Sequence, residues 1–284
     1  MKDINKARRT KAAFKRTLLS IALLAFVFLI MTPFIWMISM SLRDPADAYR
    51  LPLSIFPTEF DFSSFGQLLK SKANIPNLYK NSIFISVCIV IAQMITCPLA
   101  GYSFARLRYK GRKMLFAFFL VSLMIPHQAI IIPQYVVMSK LKMMNTPAAV
   151  ILPCVFNAFG VFLFRQSFSA IPHSYEDAAY IDGAGIFRSY WQIILPQVKP
   201  TIVTLIILTF TGSWNSYFEP LIFLTDIKTM TLPVGIVYLK GYMGSGNLSV
   251  VMAAVTTAII PVVIIFFFCQ KYVVTGLTSG GIKE

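Results

Sequence analysis

The sequence predicts an all-α protein that crosses a membrane six times, on three observations. Hydrophobic residues make up 57% of the 284 positions and charged residues 13%, a composition too apolar for an ordinary soluble domain. Six stretches approach the roughly 20 apolar residues that a spanning helix needs. The charges fall between those stretches. The chain therefore divides into a basic segment at 1–17, a transmembrane domain at 18–274 and a short tail at 275–284.

Each element has its own signal. The basic start followed by an apolar run imitates a secretory signal, yet the run from Leu18 to Met40 outlasts a signal core and no small-x-small cleavage site follows it. It reads as the first span. Residues 42–80 hold Pro45, Pro52, Pro57 and Pro76 among Phe56, Phe60, Phe62 and Phe65, which suits an ordered external loop lying on the membrane surface. The second span is placed at Asn81–Phe104 and the third at Met114–Met138, where Pro126 and Pro133 are tolerable because neighbouring helices re-satisfy freed carbonyls. A short fourth span covers Ala148–Phe164. After a hydrophilic segment at 165–200 come Thr201–Leu224 and Val250–Tyr272. Within 165–200, Ser174 is placed to cap a helix beginning at Tyr175 with acidic residues in its first turn. Gly183 and Gly185 stop it, and a second short helix from Ile186 to Ile194 ends at Leu195-Pro196.

The net charge of +15 is distributed by side. Seventeen Lys and Arg lie on the side of the N-terminus, among them Arg106, Arg108, Lys110, Arg112 and Lys113, against nine on the other. The positive-inside rule places both termini, the 104–113 turn and the Asp177 loop in the cytoplasm of a multi-pass plasma-membrane protein. A nucleic-acid surface would cluster its basic residues with aromatic platforms, so no nucleic-acid partner is expected. Cys88, Cys97, Cys154 and Cys269 all fall in spans, where they act as small apolar residues. With no CxxC pair and with His127 far from His173, no metal site is expected.

The polar segment carries a motif: Asp177-Ala178-Ala179, three residues, Gly183, nine residues, then Ile193-Ile194-Leu195-Pro196. It resembles the "EAA" loop of the membrane subunits of ATP-binding-cassette (ABC) importers, through which those subunits touch their ATPase. The small Ala178 and Ala179 would keep one face thin enough to enter a groove, with Asp182, Ala184, Ile193, Leu195 and Pro196 completing the coupling set. This chain carries Asp177 where the family usually has Glu, which shortens the reach by one methylene and makes Glu176 a second carboxylate to consider. Further runs look like the maltose-type, carbohydrate-importing permeases: Ala100-Gly101-Tyr102-Ser103-Phe104-Ala105-Arg106, Met124-Ile125-Pro126, Phe159-Gly160-Val161, Ile181-Asp182-Gly183-Ala184, Gly212-Ser213-Trp214-Asn215, Thr231-Leu232-Pro233-Val234-Gly235 and Gly276-Leu277-Thr278-Ser279-Gly280-Gly281. The resemblance implies a type I ABC importer permease fold and four kinds of partner: a second related permease, a pair of ATPase subunits, an external solute-binding protein and a sugar. It also implies a tail (Thr278, Ser279, Gly280, Gly281) reaching towards the ATPases. The loop Gly241, Tyr242, Met243, Gly244, Ser245, Gly246 and Asn247 would approach the binding protein.

The chain has no G-x-x-x-x-G-K-[ST] phosphate loop, nucleophile elbow or HExxH. No catalytic role is expected; ATP and magnesium would be bound by the partner ATPase. Glu219 is the one acidic residue near membrane depth, and a carboxylate there is costly enough to mark a functional position. With Asn157, Trp214, Asn215 and Tyr217 it could line a sugar pathway; a structural role is equally open, because Trp and Tyr also mark interfaces. Gln93, Thr96, Gln128, Gln134 and Asn157 face either a cavity or neighbouring helices, the second being the commoner reason for polar groups in spans. Two rival functions stay in view. An importer for a polyamine or phosphate would keep the loop motif, whereas a stand-alone ion-coupled carrier should show repeated halves and intramembrane ionisable pairs, for which Glu219 alone is on offer.

Overall fold

A computed structural model describes residues 2–44, 56–57, 59–71, 73–241 and 246–279. It is helical, with no strand among the described residues. Two compact units emerge, one of residues 1–71 and 239–257, the other of 72–238 and 258–284.

In the first unit, α1 (Lys2–Ser41) includes an apolar stretch, Phe14–Ser41, long enough to span a bilayer. Most of its large side chains are exposed, Leu24 and Phe28 among them, as a lipid-facing helix requires. A short helix, α2 (Ser63–Lys70), follows. Asp61 starts it by accepting hydrogen bonds from the Ser63 amide (2.7 Å) and hydroxyl (2.8 Å). Those two bonds, the amide first, hold its carboxyl below the usual carboxylate range.

The second unit is built on α3 (Ile75–Arg106). It is followed by α4 (Arg112–Ser122) and α5 (His127–Lys140), then α6 (Pro147–Ile151) and α7 (Ala158–Ser169). Helices α3 and α7 pack closely because Gly101 and Gly160 leave room. A Cβ on Gly101 would sit 2.5 Å from Cβ of Phe164, and one on Gly160 would sit 2.8 Å from Sγ of Cys97. Small residues at such contacts let backbones approach where lipid supplies no hydrophobic drive. Around this contact lies a core of Cys97, Tyr102, Phe104, Phe116, Val161, Phe164, Phe168, Tyr190, Ile194, Val198 and Leu205.

Several predicted boundaries are corrected. The third span is two helices, α4 and α5, bent by 100° across 123–126; Pro126 has no amide to continue the ladder and starts the new axis. Pro133 stays inside α5. The fourth runs over Pro147–Ser169, longer than expected, with an irregular passage at 155–157 between its two helices. The fifth stops at Trp214, as α10 (Lys199–Trp214). A separate α11 (Phe218–Phe223) follows with Pro220 in its first turn. The unit continues through α12 (Leu232–Leu239). A last helix, α13 (Leu248–Ser279), runs through both units.

Between α7 and α10 the hydrophilic segment forms the expected helix–turn–helix. Helix α8 (Ser174–Ile181) includes Ser174 and makes no side-chain cap with it. Instead, the amides of Glu176 and Asp177 bond back to the His173 carbonyl at 2.9 and 3.1 Å. Gly183 turns the chain at φ +76°, where an L side chain is disfavoured. Helix α9 (Ile186–Gln197) runs three residues past the predicted Ile194. Its turn at Tyr190–Ile194 is widened to i→i+5 bonding, the Leu195 amide reaching the Tyr190 carbonyl. That opening gives Pro196 room for its ring inside the helix. The chain then bends 77° into α10.

Candidate functional sites: a strutted loop and a polar cavity

The helix–turn–helix is fixed at its base. Arg106, the last residue of α3, is buried. Its Nη2 donates to the carbonyls of Phe168, near the end of α7, and of Ile171, just beyond it, each at 2.5 Å. Its Nη1 lies 3.2 Å from Glu176 Oε2 and donates to His173 Nδ1 at 3.0 Å. The Tyr102 hydroxyl donates to Glu176 Oε1 at 3.0 Å. One guanidinium thus joins α3, α7 and α8. Ala179, Ala184, Tyr190 and Ile194 are buried beneath the loop, and Tyr102 packs against Phe168 and Tyr190 at centroid distances of 5.8 and 5.0 Å.

The tip is different. Tyr180, Ile181, Ile186, Phe187 and Trp191 stand exposed, Ile181 at 88% and Phe187 at 74%. Asp177, Ala178, Asp182 and Gly183 are exposed beside them, Pro196 is exposed, and Ile193 and Leu195 are half-buried. The two neighbouring carboxylates separate cleanly: Glu176 is drawn inwards by Arg106 and Tyr102, whereas Asp177 faces outwards.

A cavity of about 250 Å³ opens elsewhere in the same unit. It lies where three interrupted spans bring their breaks together: His127 just after the first, Cys154 and Asn157 at the second, Ser216 and Glu219 at the third. Gln93, Thr209 and Ser213 also line it. Irregular backbone is tolerated within a membrane protein where it lines a cavity or finds partners, and here α3 supplies them. Gln93 Nε2 donates to the Cys154 carbonyl at 2.8 Å and Thr96 Oγ1 to the Val155 carbonyl at 2.7 Å. Gln93 Oε1 accepts from Asn157 Nδ2 at 3.1 Å and from Thr209 Oγ1 at 2.8 Å. Asn157 also caps α7, accepting from the Gly160 amide at 3.1 Å.

Across the cavity, His127 Nδ1 lies 3.0 Å from Glu219 Oε1, and Ser216 Oγ donates to Glu219 Oε2 at 2.5 Å. Glu219 is therefore half of an ionisable pair, which corrects the expectation that it is the lone such group.

Asn157 and Glu219 line the cavity; Trp214, Asn215 and Tyr217 do not. Trp214 is buried, stacked on Phe210 at 5.7 Å, and its indole N–H donates to the Ala258 carbonyl at 3.0 Å. That bond satisfies its one donor. Asn215 and Tyr217 are exposed beyond the end of α10. Among the residues expected to approach the binding protein, Gly241 has φ +69° and the Gly246 amide donates to the Lys240 carbonyl at 2.8 Å. Asn247 caps α13 by accepting from the Ser249 amide at 2.9 Å. Tyr242, Met243, Gly244 and Ser245 lie outside the described residues, as do Gly280 and Gly281, while Thr278 and Ser279 end α13. Sequence reasoning missed Arg106, His127 and Thr209 as site residues. Only His127 carried a local signal, an ionisable group next to a proline inside an apolar stretch.

The comparisons with known proteins agree with this architecture. Residues 98–279 match the family of binding-protein-dependent transport system inner membrane components. The chain is 32% identical to the arabinooligosaccharides transport system permease protein AraQ of Halalkalibacterium halodurans, over 94% of this chain and 96% of that one. It is 31% identical to the trehalose/maltose transport system permease protein MalG of Thermococcus litoralis, over 95% and 97%. Among solved structures, a chain of a bacterial ABC transporter involved in the import of the acidic polysaccharide alginate superimposes with a TM-score of 0.80. The identity there is 26%, covering 90% of this chain and 95% of that one. With its apolar spans, its broken helices and a family match over most of its length, this chain belongs to the binding-protein-dependent transport system inner membrane components, the multi-pass permeases of ABC transporters.

Proposed function

We propose that this chain is the channel-forming permease subunit of an ATP-driven carbohydrate importer. Its α8–α9 loop would pass the closure of a separate ATPase pair to the membrane helices. The observation that carries the mechanical half is the division of that loop into a fixed base and an exposed apolar tip. The Arg106 network ties the base to α3 and α7, so force on the tip reaches the spans instead of bending the loop. The tip, with Phe187 and Ile181 largely exposed, has the composition of a docking surface. Asp177 and Ala178 fit the coupling role by position, with Asp177 the carboxylate available to the ATPase and Glu176 engaged within the chain; Ala179, expected to share that outer face, is instead turned into the chain's own core.

Carbohydrate as the solute is supported by the relatives, which are permeases named for arabinooligosaccharides and for trehalose and maltose. In this reading both termini and the α8–α9 loop face the cytoplasm, as the lysine and arginine asymmetry favours. A second homologous permease completes the channel, and an external binding protein delivers the sugar near 241–247. ATP and magnesium are bound by the ATPase. Closure of the ATPase pair opens the cavity outwards, and hydrolysis returns it inwards.

The test is purification of the tagged chain in mild detergent from its own host, with mass spectrometry of what accompanies it. A second permease and an ATPase should be recovered. Phe187→Asp, at an exposed position that leaves the core intact, should lose the ATPase while keeping the second permease. Retention of the ATPase by that variant would remove the loop tip from the coupling role.

A further inference from the structure

We infer that the His127–Glu219 pair makes the cavity select uncharged, hydroxyl-rich solutes and reject anionic ones, uronic-acid sugars included. This rests on the carbohydrate reading above and adds the charge class of the substrate.

The lining decides it. Gln93, Asn157, Thr209, Ser213 and Ser216 present amides and hydroxyls, while Glu219 is the only carboxylate among the lining residues and no Lys or Arg is with them. The sole lining group able to carry positive charge is His127, and its Nδ1 is already 3.0 Å from Glu219 Oε1. A carboxylate offers about four acceptor sites. His127 takes one and Ser216 another, which leaves acceptor capacity for sugar hydroxyls, and bonds to a charged acceptor are the stronger kind. A solute carboxylate would instead meet Glu219 in a partly desolvated space where the one basic group that this chain contributes, His127, already faces Glu219. Glu219 is 23% exposed there, and like charges a few ångströms apart repel far more strongly than in bulk water. Selection by an unfavourable contact with the wrong solute is a standard route to specificity. His127 stands at hydrogen-bond distance from the Glu219 carboxylate and offsets part of its field, so the two halves of the pair have opposite effects on the same preference.

The test uses the assembled transporter in detergent without its binding protein, so that protein's own selectivity does not enter. Equilibrium binding is measured for radiolabelled arabinotriose, trigalacturonate and the neutral galactotriose obtained from it by carboxyl reduction. Wild type should bind the neutral trisaccharides at least roughly tenfold more tightly than trigalacturonate, a ratio already above that of one like-charge contact in bulk water. Glu219→Gln should narrow that ratio and His127→Gln should widen it. A damaged fold weakens neutral and anionic sugars alike and cannot move the ratio in two directions. Neutral binding with the same ratio in wild type and both variants would overturn the inference alone. No binding of any trisaccharide to an intact complex would overturn the carbohydrate reading, and the inference with it.

Discussion

Two side chains concentrate the consequences at the residue scale. Arg106 is a buried cation answered by a carboxylate, an imidazole and two carbonyls, and removing the guanidinium leaves the Ile171 carbonyl and the mostly buried Glu176 carboxylate short of their charged partner. Arg106→Ala should cost about 3–5 kcal/mol, read as a lower midpoint in thermal unfolding of the purified protein. Arg106→Lys should recover only part of that loss, because an ammonium lacks the planar fork that reaches Glu176 and the α7 carbonyls together. An unchanged midpoint in Arg106→Ala would show that the base of the loop is held by packing alone. Gln93 is the corresponding hub in the membrane, with three hydrogen bonds to the Cys154 carbonyl, Asn157 and Thr209. At about 0.6 kcal/mol for each hydrogen bond within a membrane protein, Gln93→Leu should destabilise by roughly 2 kcal/mol. Because those bonds hold the breaks that line the cavity, uptake should fall more than the unfolding midpoint suggests.

Among the elements, the α8–α9 turn is the most local in its requirements and the α3–α7 contact the least. Gly183 has φ +76°, and a Cβ placed there would meet nothing within 4 Å, so Gly183→Ala meets backbone strain alone, about 1–2 kcal/mol. Gly185, two residues on, has φ −71° and equally open space. Gly185→Ala should therefore be close to neutral in the same unfolding assay, and equal losses at both positions would refute the turn geometry. At the α3–α7 contact the obstacle is steric. A Cβ on Gly101 would press to 2.5 Å from Phe164 Cβ and 3.0 Å from the Arg165 amide nitrogen, and neither can retreat. Gly101→Val should abolish accumulation of folded protein in the membrane, measured as monodisperse yield in detergent. A monodisperse yield matching wild type would mean that α3 and α7 can separate without loss of the fold.

For the whole molecule, orientation follows from charge, and labelling can test it. With the four cysteines replaced, Asp226→Cys should react with a membrane-impermeant maleimide in intact cells, whereas Ser174→Cys should react only after permeabilisation; the opposite pattern would invert the proposed topology. Both positions are exposed. Composition and periodicity were enough to determine the number of apolar stretches and the helix–glycine–helix loop, because spanning length and local turn chemistry act over a few residues at a time; the loop's family motif was legible only by resemblance. The breaks were not legible in that way. Pro126 and Pro133 sit in one apolar stretch, yet one divides it and the other is absorbed; Trp214 and Glu219 share a polar run, yet one is buried against Phe210 and the other faces the cavity. What separates Trp214 from Glu219 is long-range: the Trp214 indole donates to the Ala258 carbonyl and Glu219 meets His127, while at the 155–157 break side chains of α3 satisfy the freed carbonyls of Cys154 and Val155. A carbonyl left open in a membrane interior is tolerated only where a partner reaches it, and only the tertiary structure decides which partner arrives.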